Sequence, residues 1–335
     1  MCSGRNLMKS REKAVFGGNH IMNIRVKIAA GIIVGFISSA MMATPMNGFS
    51  GEAWNLENGK YVDASGQPIA GALEKGITVS KYQNRQNEAG GGIDWDRVKR
   101  SGVSFAMIRL GYLNDKDPFY SVNMTNAAKS GLKTGVFFYT QALDTQTAEK
   151  EAKYVLQEVK DYPISYPIAY DVESKYLLDN HLTRQQITDN INAFCKIIAD
   201  AGYRPIVYAN NKWLTYHIDM NQIPYDVWYA RYGSINDCKN RTIWQCTDQG
   251  RVDGIDGDVT IEFAFQDYSS LIPAEGWKTI DGKRYYTRNY LKQTGWVEVG
   301  DAWYYFDEDG IMVHDTSLEI DGKTYAFGTD GAMIR

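Results

Sequence analysis

Residues 166–209 read YPIAYDVESKYLLDNHLTRQQITDNINAFCKIIADAGYRPIVYA and contain the unit that decides the fold. The segment opens with an apolar, β-branched run, Tyr166–Val172, and closes with another, Arg204–Ala209. Between them, Thr183 begins a capping-box pattern, apolar residues then repeat at helical spacing, and Gly202 stands where a helix would end. A strand, a helix and a second strand in this order are typical of a parallel βαβ unit.

The same unit recurs along residues 76–265. The first five apolar runs begin roughly 28 to 38 residues apart, which leaves room for a helix in each connection, as over Thr147–Lys160. The last three follow at about 15 to 23 residues, which leaves little room. The eight runs are Gly76–Val79, Ser104–Leu110, Thr134–Thr140, Tyr166–Val172, Arg204–Ala209, Val227–Arg231, Thr242–Thr247 and Thr260–Phe265. This spacing predicts an α/β barrel related to the (β/α)8 form but incomplete on one side, with its chemistry at the carboxyl ends of the strands.

The composition excludes several classes of protein. The chain has 335 residues and a formal net charge of −4, so no basic field predicts a nucleic-acid partner. Hydrophobic residues make up 44% and charged residues 23%, which excludes wholesale disorder. The length allows two or three domains.

Residues 24–43 have the features of a secretory signal peptide. Basic residues precede the apolar stretch 28–37, and small residues follow it. Cleavage after Ala40 or Ala43 fits this pattern. The alternative is an uncleaved membrane anchor, for which the apolar core is short. We therefore expect residues 1–43 to be a leader and the protein to be secreted, with no membrane contact after cleavage.

Export changes how the four cysteines are interpreted. Cys2 falls in the leader, and Cys195 lies beside the apolar face of a predicted helix, which predicts a buried free thiol. Cys238 and Cys246 bracket a short polar loop and are candidates for a disulfide. With only 4 His and no Cys or His pair at ligand spacing, the sequence predicts no metal site and no cofactor.

The strongest candidate for chemistry is the pair Asp171 and Glu173 at the end of the fourth run. Residues i and i+2 of a strand point the same way, so both carboxylates are expected to project together at the barrel rim. Glycoside hydrolysis needs one protonated acid and a second group that stabilises positive charge at the sugar carbon. Repulsion between the two would raise one pKa and favour that division. The alternative is a solvated surface pair.

Motifs along residues 76–268 support the first interpretation. They lie at residues 76–83, 93–95, 105–112, 171–173, 207–208, 213–214, 244–245 and 254–257. In type and order they resemble the glycoside hydrolase family 25 lysozymes of the Chalaropsis type. The resemblance implies a β5α5β3 barrel over residues 76–270. It also implies cleavage of the β-1,4 bond between N-acetylmuramic acid and N-acetylglucosamine in peptidoglycan, an activity of the muramidase (EC 3.2.1.17) type.

The resemblance also implies roles for single residues. Glu173 would be the acid/base, and Asp171 would orient or polarise the N-acetyl group of the substrate or position water. Tyr139, Tyr208 and Trp228, at strand ends, are candidates for stacking on sugar faces. The alternative is that these rings pack between the helices and the barrel.

Two positions depart from the family pattern. Thr78 and Thr260 stand where the family usually has Asp, and a hydroxyl cannot carry negative charge. Asp258 and Glu262 each lie two residues from Thr260, so either could supply charge from a shifted position. Thr78, Thr260 and Glu262 are therefore candidates for substrate binding.

Residues 276–335 form an internal repeat of short aromatic hairpins about 21 residues apart. They resemble choline-binding or glucan-binding cell-wall repeats, in which Trp and Tyr of adjacent hairpins form a cage for a quaternary ammonium. The candidates for this role are Trp277, Trp296, Trp303, Tyr305 and Tyr325. The alternative is that these aromatics are only the stacking core. Residues 44–75, in which a W…NGKY…SG pattern resembles one hairpin, are interpreted as a linker.

The sequence therefore predicts a peptidoglycan hydrolase that is secreted and associated with the cell wall. Its partners would be peptidoglycan glycan strands and, through the repeats, a wall polymer such as teichoic acid, choline or glucan. The first alternative is a non-catalytic protein whose barrel only binds wall glycans. The second is a hydrolase of another N-acetylated polysaccharide.

Overall fold

The computed structural model describes residues 54–86, 92–113, 115–233 and 241–334, of which residues 85 and 86 are described in their backbone only. All of them fall in one compact unit, residues 49–335. The predicted leader, with Cys2, lies outside the described residues. None of the helices in the described part of the chain is long and apolar enough to cross a membrane.

The strands before residue 275 are β1 (Leu56–Glu57), β2 (Lys60–Tyr61), β3 (Glu74–Val79), β4 (Phe105–Tyr112), β5 (Asp115–Lys116), β6 (Lys133–Tyr139), β7 (Ile168–Asp171), β8 (Pro205–Asn210), β9 (Asp226–Ala230), β10 (Arg241–Gly250) and β11 (Val259–Ala264). The strands after it are β12 (Gly276–Ile280), β13 (Lys283–Arg288), β14 (Leu291–Lys292), β15 (Gly295–Val299), β16 (Ala302–Phe306), β17 (Thr316–Ile320), β18 (Lys323–Phe327) and β19 (Met333–Ile334). The helices are α1 (Lys81–Gln86), α2 (Trp95–Arg100), α3 (Tyr120–Lys129), α4 (Thr145–Val159), α5 (Lys175–Asp179), α6 (Arg184–Asp200), α7 (Asn211–Tyr216) and α8 (Tyr268–Leu271).

Eight of these strands close into a barrel, in the order β3, β4, β6, β7, β8, β9, β10, β11 and back to β3. Neighbours from β3 through β10 are parallel, whereas β11 is antiparallel to both β10 and β3. The short strand β5 is antiparallel to β4 and pairs with the end of that strand. The predicted α/β barrel of eight strands is therefore confirmed. The finer β5α5β3 notation stays a prediction, because two helices precede β4 and two lie between β7 and β8.

Two apolar layers hold the barrel together. One lies between the sheet and the helices, where α4 and α6 bury the faces that their sequence period predicts. The capping box at the start of α6 is present: Thr183 accepts from the backbone of Gln186, whose side chain returns to Thr183. The other layer fills the interior with side chains such as Phe105, Phe137 and Trp228. The barrel is therefore a packed core, which leaves only its ends for chemistry.

The predicted linker is corrected in its described part. Residues 54–73 form the β1–β2 hairpin and a loop that pack on the outside of β10 and β11. The ring of Trp54 lies 6.1 Å from that of Trp244, and the ring of Tyr61 lies 5.1 Å from that of Phe263. Large aromatic side chains in this segment gain more by burial on the barrel than by remaining in water, so the segment does not stay extended.

The cysteines give one confirmation and one correction. Cys195 is a buried free thiol on α6, as predicted. Cys246 is also a buried free thiol, and its Sγ donates to the carbonyl of Ile261 at 3.2 Å across the β10–β11 pair. The side chain therefore points into the wall of the barrel, so the predicted disulfide with Cys238 is not formed. Cys238 itself lies outside the described residues.

The C-terminal repeat folds as three hairpins, β12–β13 with β14, β15–β16, and β17–β18 with β19. In the first and third, Asp281-Gly282 and Asp321-Gly322 turn the chain with positive φ at both residues, as two-residue hairpin turns require. The first hairpin contacts the barrel, since Ile280 packs against Gly202 just before β8. This contact lies at the amino ends of the parallel strands, the opposite end from Asp171.

Candidate active site

Asp171 is the last residue of β7, and Glu173 follows two positions later. Asp171 is 5% exposed, whereas Glu173 is half-buried and so reaches the solvent-facing side of the site. In the sheet, Asp171 pairs with Tyr139 on β6 and with Tyr208 on β8, so the carboxyl ends of three strands meet here. The two predicted carboxylates therefore lie together at the predicted end of the barrel.

Asn210 holds Glu173 in place. Its Nδ2 donates to Oε2 of Glu173 at 3.0 Å, while its Oδ1 accepts from the backbone of Trp213 as the N-cap of α7. The cap fixes which end of the amide faces Glu173. Sequence reasoning did not select Asn210, although it stands two residues beyond Tyr208 on the inward face of β8.

Burial raises the pKa of both carboxyls. For Asp171, the loss of water is the largest cause and the charge of Glu173 adds to it, so the pKa lies well above its ordinary value despite the opposing charge of Arg109. For Glu173, burial raises the pKa and the hydrogen bond from Asn210 opposes it. The pair therefore retains a proton to a higher pH than an isolated carboxyl would. Because Glu173 is the more exposed member, it is the one able to pass that proton to a bound ligand.

Thr78 and Thr260, the two threonines that depart from the family pattern, both lie beside Glu262. Thr260 and Thr78 are cross-strand partners, and the backbone N–H of Thr78 donates to Oγ1 of Thr260 at 3.1 Å. The hydroxyl of Thr78 donates to Oε1 of Glu262 at 2.7 Å. Glu262 is fully buried, whereas Asp258 is exposed and pairs with Arg251. Of the two shifted acids, only Glu262 therefore lies in the barrel interior.

Gln245 on β10 connects Glu262 to two tyrosines. Its Nε2 donates to Oε1 of Glu262 at 3.1 Å. Its Oε1 accepts from the hydroxyls of Tyr208 at 3.0 Å and Tyr232 at 3.2 Å. The charges of Glu173, Asp171 and Glu262 all contribute to the raised pKa of Tyr208, although burial is the largest cause. The tyrosine hydroxyls thus lie within electrostatic reach of all three acids.

The predicted sugar-stacking residues have different outcomes. Tyr139 is half-buried and its hydroxyl is hydrogen-bonded to Ser174 beside the two acids, so its ring remains a candidate. Tyr208 is only 5% exposed and Trp228 only 1%, and their rings pack edge-to-face 4.6 Å apart in the barrel interior. The stacking role is therefore corrected for these two, because protein covers both ring faces.

Arg109, in the second half of β4, is a site residue that sequence reasoning missed as a candidate. Its guanidinium forms an ion pair with Asp117 at 2.7 Å and lies 5.4 Å from the ring centre of Tyr82. Asp117 also accepts backbone hydrogen bonds from Lys81 and Phe119, which fixes its position. Arg109 therefore brings one positive charge close enough to lower the pKa of Asp171.

Glu262→Gln should flatten the pH dependence of stability. Burial raises the pKa of Glu262 to about 7, so the folded state keeps a proton that the unfolded state releases. The stability that this carboxyl contributes is present at low pH and is lost as the pH rises toward 7, by up to about 3 kcal/mol. Urea unfolding of wild type and Glu262→Gln at pH 5 and pH 8 measures the difference. Equal pH dependence in the two proteins would contradict the shifted pKa.

The aromatics of the tail form two equivalent clusters between neighbouring hairpins. The ring of Trp277 lies 5.1 Å from Tyr286 and 4.8 Å from Tyr304. In the same positions one hairpin later, the ring of Trp296 lies 5.2 Å from Tyr305 and 4.8 Å from Tyr325. The repeat therefore places all five predicted tail residues at or beside hairpin junctions, since Trp303 lies 6.3 Å from Trp296.

The two clusters differ in one position. Arg284 pairs with Thr279 across the first hairpin, as Trp303 pairs with Glu298 across the second. The guanidinium of Arg284 lies 4.3 Å from the ring centre of Trp277 and so covers that face with a cation of the chain itself. Trp303 is 37% exposed and extends the aromatic surface. Of the two clusters, the second therefore offers the more open aromatic surface.

Curated relatives match more than half of the chain. Over 198 residues the chain is 27% identical to the uncharacterized protein YegX of Escherichia coli (strain K12), and the match covers 55% of this chain and 66% of YegX. Over 202 residues it is 26% identical to Lysozyme M1 of Streptomyces globisporus, covering 55% of this chain and 65% of that protein. The chain thus spans just under two thirds of the length of either relative.

Solved structures share the fold. The modular autolysin LytC from Streptococcus pneumoniae, solved with a synthetic peptidoglycan ligand, has a TM-score of 0.55 at 24% identity, covering 64% of this chain and 52% of that one. A family 25 glycosyl hydrolase from Bacillus anthracis has a TM-score of 0.51 at 22% identity, covering 61% of this chain and 94% of that one. At this identity the similarities establish the barrel fold alone.

Family models match both parts of the chain. Residues 293–335 match the choline-binding repeat, and residues 275–289 match the putative cell wall binding repeat. The model for glycosyl hydrolases family 25 matches residues 77–255, which is more than half of the chain and includes the acids on β7. The chain belongs to glycosyl hydrolases family 25.

Proposed function

We propose that the protein is a secreted peptidoglycan hydrolase of the muramidase type, which cleaves the β-1,4 bond between N-acetylmuramic acid and N-acetylglucosamine. Glu173 would act as the acid/base and Asp171 as the assisting carboxylate. The observation that carries the proposal is the pair itself: two carboxyls with raised pKa values at the carboxyl end of a family 25 barrel. The names of Lysozyme M1 and of LytC with its peptidoglycan ligand point the same way.

The chemistry follows from the exposure of the two acids. Glu173, half-buried and held by Asn210, would donate its proton to the leaving oxygen of the glycosidic bond. Asp171, buried directly behind it, would stabilise the charge that develops on the sugar or its N-acetyl group. Tyr139, beside both, would offer a half-buried ring to a sugar face.

Release of soluble fragments from insoluble peptidoglycan tests this function. We expect the purified full chain to solubilise the polymer and to create new reducing ends at the same rate. Soluble material without new reducing ends would indicate cleavage of the peptide part and would overturn the proposal. Binding without solubilisation would favour the non-catalytic alternative. The observation behind that alternative is that Thr78 and Thr260 carry hydroxyls where the family usually has carboxylates. A parallel assay on chitin reports any wider activity on N-acetylated polysaccharides.

We further propose that the tail anchors the enzyme to a wall polymer, and that the second aromatic cluster is its cation site. Trp296, Trp303 and Tyr325 present aromatic surface at the junction between the second and third hairpins. Quaternary ammonium groups bind to such surfaces by cation–π attraction. At the first junction, Arg284 already covers Trp277 and would compete with an external cation. The match to choline-binding repeats supports choline as the group bound.

Trp303→Ala should weaken retention on immobilised choline about fivefold, since one cation–π contact contributes on the order of 1 kcal/mol. Leu271→Ala is the matched control, because Leu271 is similarly exposed at 43% and lies on α8, outside the tail. We expect the control to bind like wild type, both to choline resin and to purified walls. If Trp303→Ala also bound like wild type to both, the tail aromatics would be a stacking core only. Loss of wall binding alone would identify a different polymer as the ligand.

A further inference from the structure

Glu262 occupies an unusual position on the one antiparallel strand of the barrel. Thr260 and Glu262 are separated by two residues on β11, so both point to the same face of the sheet. Because β11 runs against its neighbours, Thr260 lies nearer the end of the barrel that holds Asp171, and Glu262 lies one step deeper. Across the β3–β11 pair, Glu262 stands opposite Gly76, whose missing side chain leaves room for the ring of Phe105.

Polar groups from three strands converge on the Glu262 carboxylate. The hydroxyls of Thr78 and Thr260 and the side-chain amide of Gln245 are hydrogen-bonded to it, and those from Thr78 and Gln245 reach the same oxygen, Oε1. The second oxygen, Oε2, is buried and has no hydrogen-bond partner among the residues that the structure describes. A buried carboxylate that is left half-paired costs free energy, so packing alone does not explain its presence.

A second buried glutamate shows what a purely structural acid looks like in this barrel. Glu151 on α4 accepts from Thr140 and Tyr170 through Oε2 and from the backbone of Gln141 through Oε1. Both of its oxygens are used, and it braces β6 against β7. Glu262 differs from Glu151 in having one unpaired oxygen. In this it resembles Asp171, whose buried Oδ1 also has no partner among the described residues.

The contacts of Glu262 lead to the two acids. By accepting from Nε2 of Gln245, Glu262 turns the carbonyl end of that amide toward Tyr208 and Tyr232. Tyr208 pairs with Asp171 in the sheet, and the charges of Asp171 and Glu173 both contribute to the raised pKa of its hydroxyl. A glutamine at position 262 would not fix the orientation of the Gln245 amide, since its own amide could present either its oxygen or its nitrogen.

We propose that Glu262 is a positioning residue of this site: its charge aligns the hydroxyls of Thr78 and Thr260 and, through Gln245, the tyrosine hydroxyls beside Asp171 and Glu173. Above its pKa of about 7, Glu262 then supplies a negative charge to this wall of the barrel, which the two threonines cannot supply. This inference rests on the proposed hydrolase function.

Moving the carboxylate along β11 tests the inference. Glu262→Asn removes the charge, Glu262→Gln removes the charge but keeps the length, and Thr260→Asp with Glu262→Asn returns one carboxylate to the same face two residues nearer the mouth. At pH 8, above the pKa of Glu262, we expect both single variants to lower kcat about 30-fold with KM changed less than about threefold. We expect the double variant to recover to within about fivefold of wild type. A residue that only packs would not show recovery by a carboxylate at another position.

Thermal unfolding shows whether each variant is folded at the assay temperature. Wild type and Glu173→Gln serve as the active and the inactive reference. Wild-type kcat in Glu262→Gln would overturn the inference, because charge would then be irrelevant. A folded double variant that stays as slow as Glu262→Asn would overturn it as well. Should the double variant unfold at assay temperature, Glu262→Asp becomes the rescue variant, with the same expectation of partial recovery. If wild type is inactive, the proposed function fails and the inference with it; if wild type is active and Glu173→Gln is not, only the Glu262 variants decide.

Discussion

Glu173→Gln should remove almost all hydrolysis of peptidoglycan, lowering kcat about 1,000-fold. The amide keeps the size of the side chain and can still accept the hydrogen bond from Asn210, but it has no proton of suitable acidity to give to the leaving oxygen. The initial rate of reducing-end formation from purified peptidoglycan measures the loss. The Kd for a non-hydrolysed fragment should change little, because the substitution alters the proton donor and leaves the cleft intact.

Asp179→Asn provides a matched control for this variant. Asp179 lies six residues further along the chain, is 56% exposed and pairs with Lys175 on the surface of α5. It should retain wild-type kcat within about twofold, since exposed ion pairs contribute little. If Glu173→Gln retained one tenth of the wild-type rate, Glu173 would not be the acid, and the pair on β7 would lose its assigned chemistry.

Asp171→Asn should lower kcat about 100-fold and leave the protein at least as stable as wild type. The loss of rate follows because a charge that faces the developing cation is replaced by a neutral amide. The stability follows from the pKa: burial raises it well above the ordinary value, so the folded protein carries a penalty for ionising Asp171 at neutral pH that Asn does not have.

Thermal unfolding at pH 5 and pH 8 separates these two effects. We expect Asp171→Asn to unfold at a temperature equal to or above that of wild type at pH 8. The difference should be smaller at pH 5, because lowering the pH reduces the cost of holding a carboxyl with a raised pKa in the folded protein. A variant that is slow because it is partly unfolded would show the opposite order. Such a result would make Asp171 a structural residue and would leave Glu173 without its partner.

Much of the fold follows from local sequence. The strands are predictable because each parallel barrel strand is an apolar, β-branched run, and the connections are predictable because their lengths either do or do not hold a helix. The capping box of α6 and the Asp-Gly turns of the tail are fixed by chemistry within a few residues. For the same reason, the two-residue spacing of Asp171 and Glu173 is enough to place both on one face of one strand.

The contacts that complete the site depend on pairings between distant residues. Asn210 reaches Glu173 only because β8 lies beside β7 and α7 needs a cap at that residue. That Glu262 and not Asp258 lies in the barrel interior depends on the register of β11 against β3. The sequence does not show this register, because both acids lie two residues from Thr260. The sequence wrongly predicts sugar stacking for Tyr208 and Trp228 because large aromatics fill a barrel interior and line a sugar cleft equally well.

The identity of the sugar at each new reducing end tests most directly whether the protein is a muramidase. Peptidoglycan would be digested with the full chain, reduced with borohydride and analysed by mass spectrometry, with the Glu173→Gln protein in parallel. We expect fragments that end in reduced N-acetylmuramic acid, and none above background from Glu173→Gln. Fragments that end in reduced N-acetylglucosamine, or equal products from both proteins, would contradict it.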